Sequence, residues 1–411
     1  MRIIKCLVLL FVLILILSCG GTKTAQIWTD RPEFAVYGEL FNTSQTQYKV
    51  SIKYYENLDQ ELEKTGNTAD IIVGSWLKNA ATGVYFRSLD NLFGANKLSR
   101  DIFYSRLLSI GRIERNQYLL PVSFNLPALI FSKDNNLELS NSFTIDFSEI
   151  KFLSKDYNVI NRGAYTRMGF SPLWSNDFLM TVAVLSGTSF RAASPLTWDT
   201  DALERSMDFV NNWTTEINTS NQAEEEFTFK YFFEPPERLV QNRRILFSYM
   251  DSSNFFTLNE ESKNNLDYRW IMEQGRIPIN EDIVLIGIPK RAKSAKAARA
   301  FIQWFFTTEN QRLILEYCIE TRVSENVFGI CGGFSVLSPV TEEIFPHYYP
   351  ELLGRMPSSD YLLPPNVLPG NWANIKERVL LPYLHDRSRS AKTEDVTPLE
   401  RRLSDWIRLN R

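Results

Sequence analysis

The stretch Leu119–Lys133, reading Leu-Leu-Pro-Val-Ser-Phe-Asn-Leu-Pro-Ala-Leu-Ile-Phe-Ser-Lys, limits what this chain can fold into more than any other. Two apolar runs, Tyr118–Leu120 and Ala128–Phe131, flank a polar knot with a proline on each side. Pro121 and Pro127 have fixed φ and no N–H, so one regular central strand does not run through the stretch. The pattern that remains is strand, short polar crossing, strand. Such a crossing takes a chain out of one compact lobe into another and leaves Ser123 and Asn125 between them. Clefts between lobes are where small-molecule sites concentrate. The competing reading is an ordinary β-bend inside one domain.

The N-terminus sets the compartment. Arg2 and Lys5 precede the apolar run Cys6–Leu17, which ends in Ser18-Cys19-Gly20-Gly21. A positive start, an apolar core and small residues at the exit make a secretory signal over residues 1–18. The run has 12 residues, whereas a membrane-spanning helix needs roughly 20. Ile16-Leu17-Ser18-Cys19 resembles the lipobox of bacterial lipoproteins, with a mild departure at Ile16. That resemblance implies lipidation of Cys19 by diacylglycerol and a palmitate-type amide-linked chain, with residues 19–24 as tether. Several acyl chains together give stable anchoring.

Losing Arg2 and Lys5 with the signal leaves 43 of the 45 basic residues facing 48 acidic ones. This mild acidity gives no electrostatic footprint for nucleic acid. The 411 residues are too many for one small core, and 28 Phe, 17 Tyr and 9 Trp fit folded lobes and not a disordered chain. Beyond the signal and Cys19, only Cys318 and Cys331 remain. In an exported chain they form a possible disulfide, provided that their Cα atoms approach within about 7 Å. Metal chemistry finds little support, since His347 and His385 are the only histidines and no Cys-x-x-Cys exists. Cys331-Gly332-Gly333 does not fit a phosphate loop, and no other cofactor motif is present.

Along the mature chain, strands over Ala25–Trp28, Tyr48–Tyr55 and Ala69–Gly74 alternate with helical spacing at Phe34–Phe41 and Leu58–Lys64. That alternation predicts a parallel sheet of βαβ units. Ligands of such sheets sit beyond the carboxyl ends of the strands, which makes Thr29–Arg31 and Ser75–Trp76 candidates by geometry. Farther on, the spacing predicts helices near Phe143–Leu153, Phe178–Ser186 and Trp198–Trp213, the last capped by Asp199 or Thr200. Ser220–Glu226 reads as a polar loop, and Arg244–Tyr249 and Ile283–Ile288 as strands. Ser294 is placed to cap a helix over Ala295–Phe306, with another from Glu309. Two more helices close the chain near Trp372–Tyr383 and Pro398–Leu409.

Taken together, Ala25–Asp30, Ala69–Trp76, Leu120–Lys133, Ile288–Leu315 and Gly333–Pro339 resemble the extracellular solute-binding proteins of bacterial ABC transporters. The resemblance is to family 1, the carbohydrate-binding, maltose-binding-protein-like group. Its most specific piece is Ile288-Pro289-Lys290, then Lys296-Ala297-Ala298-Arg299-Ala300-Phe301-Ile302, then Thr308-Glu309-Asn310-Gln311. The stretch Asn242–Phe247 departs from the family, being rich in Arg and Ile where a Gly is usual. The resemblance implies an α/β, two-lobed, type II periplasmic-binding-protein-like fold with an interlobe ligand cleft. Lobe one would be 25–122 and 289–331, and lobe two 126–285 and 335–411. It implies a non-enzymatic, extracytoplasmic, membrane-anchored protein that captures a sugar or oligosaccharide and delivers it to an ABC permease. Two alternatives stay open: the fold turned to adhesion or sensing, and a surface-anchored carbohydrate-active enzyme.

Sugars present fans of hydroxyls and flat apolar faces, which planar polar side chains and aromatic rings match. The candidates for contact are therefore Asp30 and Arg31 after strand one, Ser123 and Asn125 at the crossing, Trp174 in the broken loop Arg167–Asp177, and Tyr249 and Asp251 at a strand end. Phe334 stands beside Gly333 at a third crossing. By the resemblance, Trp76 and Trp372 take ligand-facing positions. Neither histidine lies in a motif that suits a catalytic base.

Overall fold

A computed structural model of the chain describes residues 23–63, 68–79, 82–95, 97–193 and 196–410. The signal 1–18, Cys19 and most of the tether lie outside the described residues. Among those described, no helix is long and apolar enough to cross a membrane.

Two sheets organise the fold. The first has six strands in the order 334–335, 119–124, 284–287, 71–74, 23–29 and 48–54. Strand Lys23–Thr29 runs parallel to both its neighbours, as the βαβ reading requires. Val284–Gly287 runs against both of its own. Ile71–Gly74 is buried throughout, which is why that strand is an unbroken apolar run. The second sheet has four strands in the order 248–251, 127–132, 266–271 and 144–145. The crossing read from sequence is therefore present: Leu119–Phe124 belongs to the first sheet and Pro127–Ser132 to the second. Opposite Pro121, which cannot donate, the ladder shifts register between Val284 and Leu285.

Sheet topology moves two expected boundaries, because Val284–Gly287 and Phe334–Ser335 both hydrogen-bond within the first sheet. The return to the second lobe comes later, beyond Leu362–Leu363, which pairs in parallel with Ile277–Pro278 of the second crossing.

Helix Ala295–Phe305 packs on the first sheet. Its Phe301 and Phe305 meet Phe34, Tyr37 and Phe41 in one aromatic layer. Ser294 does not cap it through its side chain. Instead the Ser294 N–H donates to buried Asp70 (2.6 Å), whose other oxygen accepts from Gln26 (3.0 Å), so one carboxylate ties helix start to strand. Helix Thr200–Ile217 begins at Asp199, which accepts from the Ala202 N–H (2.7 Å). The expected loop at 220–226 is instead helix Asn221–Lys230, capped by Ser220. Gln-Ala-Glu-Glu-Glu is strongly helix-forming once a cap starts it. From Trp372 to Arg389 the chain is helical throughout, with a π segment at Lys376–Leu380 just before Pro382. Proline has no N–H for the ordinary ladder, and a widened turn accommodates it.

Cys318 and Cys331 are free thiols and form no disulfide. Cys318 sits on helix Thr308–Glu320, while Cys331 lies in a left-handed turn (φ 52°) whose N–H is held by the Tyr37 hydroxyl. Each is buried, and burial pushes the Cys318 thiol up to about 11.

Candidate ligand-binding cleft

A cleft of about 650 Å³ opens where the two lobes face each other. Trp76 enters it directly after strand Ile71–Gly74 of the first sheet. The residue is half-buried and left-handed (φ 62°), a conformation that costs a non-glycine residue energy and is held by its surroundings. Its ring reaches across to the apolar cluster of the second lobe, to which Trp372 belongs. Trp372 arrives from the other side at the start of its helix. It is 1% exposed, packs on Phe190 (5.5 Å) and donates its indole N–H to Glu281 (3.4 Å). Trp372 is therefore chiefly a wall of the cleft, with most of its ring in the core.

One turn on from Trp372, Lys376 pairs with Glu281 (2.5 Å) and Asp177 (3.1 Å). Burial opposes its charge, but Glu281 and Asp177 outweigh burial and hold its pKa above the ordinary lysine value. Asp251 caps the short helix Ser252–Thr257, accepting from the Asn254 N–H and the Ser253 hydroxyl (both 2.8 Å). Asp282 is exposed to the cleft by its own surface, although protein crowds its carboxyl from the other sides. That desolvation, reinforced by Glu281 and Asp251, exceeds the opposing pull of Arg31 and raises its carboxyl above the usual range. Tyr249 lines the same wall with its ring against Phe178 (6.1 Å). Desolvation and the nearby Asp177 push its hydroxyl well above the usual tyrosine value, so it stays protonated and able to donate.

Trp76, Tyr249, Asp251 and Trp372 thus meet in one cleft. The other sequence candidates go elsewhere. Arg31, Ser123 and Asn125 line a smaller polar cavity of about 220 Å³ that shares Asp282 with the cleft. Asn125 is committed to the junction: its amide donates to Gly332 O (2.9 Å), its side-chain oxygen accepts from Ser252 (2.6 Å), and its carbonyl accepts from the Asn280 N–H (3.1 Å). Ser123 donates to Cys331 O (3.2 Å). These groups fasten the crossings to one another. Arg31 pairs with Asp30 (3.2 Å) and donates to Ser75 (2.8 Å), whose hydroxyl donates to Asp282 O (2.7 Å). Phe334 is fully buried among Phe124, Phe328 and Trp270, a core residue and not a ligand contact. A Cβ on its neighbour Gly333 would stand 2.7 Å from Phe124 O, which explains the glycine. Trp174 lines a separate cavity in the second lobe.

Lys376, Glu281, Asp282 and Asp177 were missed from sequence. The signal available for Lys376 was its place four residues after Trp372 on one helix, hence on the same face. Glu281-Asp282 stands just before strand Val284–Gly287, which runs against Ile71–Gly74, so its start lies at the same sheet edge as Trp76; a search confined to carboxyl ends of strands passes it over. Among the described residues, no group of His, Cys, Asp and Glu is arranged to hold a metal ion.

No protein-family model matches the chain, and no curated protein matches it by sequence. Solved structures do match its fold. An ABC substrate-binding protein from Listeria monocytogenes in complex with cycloalternan is 12% identical, over 93% of this chain and 97% of that one, with a TM-score of 0.61. A cyclo/maltodextrin-binding protein complexed with maltotetraose is 13% identical, over 95% and 96%, at 0.63. A protein with mannotriose bound is 12% identical, over 93% and 98%, at 0.60. The fold is the two-lobed α/β architecture of periplasmic binding proteins, with the cleft between its lobes.

Proposed function

We propose that this chain is an extracytoplasmic solute-binding lipoprotein of family 1. On this reading it captures a neutral oligosaccharide between its lobes and hands it to an ABC permease without chemically altering it. The observation that carries the reading is the cleft itself, with tryptophans approaching from both lobes around a ring of carboxylates. Aromatic faces match the apolar faces of sugar rings, and carboxylates accept from their hydroxyls. Among the described residues of that lining, Asp177, Asp251, Glu281, Asp282 and Glu377 face Lys376 as the single cation, so negative charge prevails and disfavours uronic or sialic acids. The fold-mates solved with cycloalternan, maltotetraose and mannotriose support sugars as the class to test. Lipidation at Cys19 and membrane anchoring belong to the same reading and rest on the N-terminal sequence.

The test is a thermal-shift screen of the chain against mono- and oligosaccharides, followed by calorimetry and product analysis. Ligand at 100 times its Kd is expected to add about 2.7 kcal/mol of stability, with the sugar recovered intact. A screen in which no sugar shifts the transition rejects the reading, and turnover of the sugar would replace it with an enzyme.

A further inference from the structure

Arg31 lines the smaller polar cavity and not the cleft, yet it is tied to the residue directly before Trp76. Its Nη2 donates to the Ser75 hydroxyl (2.8 Å) while its Nε pairs with Asp30 (3.2 Å). Ser75 extends the tie by donating to Asp282 O (2.7 Å). The strand ends at Gly74, opposite Leu285, so Ser75 and Trp76 lie beyond the sheet ladder. Trp76 stands in the left-handed region (φ 62°), where a bulky residue stays only when its surroundings over-determine it. On its far side the surroundings do so. Leu77 is buried and its carbonyl accepts from the Thr82 hydroxyl (3.0 Å), and the Lys78 ammonium donates to the carbonyls of Ile110 and Arg112. On its near side the hold is Arg31 on Ser75.

We propose that Arg31 is a positioning residue for the sugar: through Ser75 it fixes the backbone before Trp76 and so the direction in which the indole enters the cleft. The inference rests on the reading of the cleft as a sugar site. Arginine suits the task because its planar fork reaches a carboxylate and a hydroxyl at once in fixed geometry, which a lysine ammonium does not. Among the described residues that line the cleft, neither Arg31 nor Ser75 is present, so the pair acts on the ligand through its neighbours. Two neighbours offer themselves, Trp76 by the chain and Asp282 by charge, and they are separable. A residue that acted by charge would contribute whether or not position 76 carried an indole. One that aims the indole contributes only while the indole is there.

The test uses the full chain in a detergent without a sugar headgroup. Calorimetric titrations with maltose through maltoheptaose, mannobiose through mannohexaose, and cycloalternan find the best-bound sugar, which then serves for a double-mutant cycle. Arg31→Met is expected to weaken its binding about tenfold. Arg31→Lys keeps the charge but not the fork and should lose about as much. With Trp76→Ala already in place, adding Arg31→Met should change affinity less than about twofold. Ser75→Ala cuts the same link from its other end, and it supplies the same cycle if loss of Arg31 prevents folding. Wild-type affinity in Arg31→Lys or in Ser75→Ala, or additive losses in the cycle, reject the positioning role and leave the cleft reading standing. If wild type binds no sugar of the panel, the cleft reading falls and the positioning role with it.

Discussion

At the scale of single residues, the two cleft tryptophans separate binding from folding. Trp76 is half-buried at a strand end, whereas Trp372 is almost wholly enclosed and packed on Phe190. A stacked aromatic gives area and orientation at low entropic cost. Trp76→Ala is therefore expected to weaken sugar binding about tenfold or more with little loss of stability. Trp372→Ala removes a core side chain and should cost about 3–5 kcal/mol of folding stability. Denaturant titration beside calorimetry checks both, and equal stability losses in the two variants would refute the distinction. Asp282 gives a test by pH. Its folded carboxyl lies above the ordinary value of 3.8, so the native state binds its proton more tightly than the unfolded chain. The associated stability is present below pH 3.8 and is lost as pH rises through the folded value. Asp282 is exposed, so solvent screens the effect. Asp282→Asn should then raise the melting temperature only slightly at pH 7, bring no gain below pH 3.8, and weaken sugar binding. A variant that gains equally at both pH values would show that charge is not the cause.

At the scale of elements, helix Trp372–Arg389 sets the far wall of the cleft, and its π segment determines which way that wall faces. Trp372 and Lys376 lie at or before the widened turn, while the helix after Pro382 is anchored through Arg387 to Glu204 (2.6 Å) and to Asp208. Deleting exposed Arg378 would restore the ordinary ladder and rotate Trp372 and Lys376 by about 100° relative to that anchor. Helical circular dichroism should persist while sugar affinity falls at least tenfold. Unchanged affinity would mean that the π turn does not aim the wall. The helix over 372–383 was legible from its apolar spacing, but the π segment was not, because Pro382 reveals a missing donor without saying how the chain absorbs it. Helix Asn221–Lys230 was missed for another reason: Glu224-Glu225-Glu226 reads as a solvated loop unless Ser220 is recognised as its cap. The break between strands around Pro121 and Pro127 was plain, since proline excludes one regular strand through the stretch, while the choice between a crossing and a bend within one lobe was not. What Ser123 and Asn125 do was hidden, since a polar residue at a crossing looks the same whether it meets ligand or carbonyls of the neighbouring passes.

At the scale of the whole molecule, the lobes were legible from βαβ alternation and the crossing, but how tightly they are coupled emerges only from contacts between distant segments. Outside the described residues, Cys19→Ser should leave folding and sugar binding unchanged while moving the protein from membrane to soluble fractions; retention of a correctly sized product would count against lipidation. Within them, an aromatic cluster joins the lobes. Phe256, beside the second sheet, stacks on Phe328 (4.8 Å, 18°), and Trp270 of that sheet meets Phe334 of the first (5.9 Å). Phe328 also touches Phe334, Phe345 and Tyr349 and is 1% exposed. Two lobes that share a core of this kind should unfold together, whereas lobes meeting only at a polar interface behave as separate units. Wild type should accordingly give one calorimetric transition. Phe328→Ala removes the ring that both sides share and should cost about 3–5 kcal/mol, splitting the transition in two. A sugar gripped by Trp76 from one lobe and Lys376 from the other stabilises only the state in which both lobes are folded, so saturating ligand should draw the split transitions together again. Two transitions in wild type, with ligand shifting only one of them, would show that the lobes are independent and that the sugar is held by a single lobe.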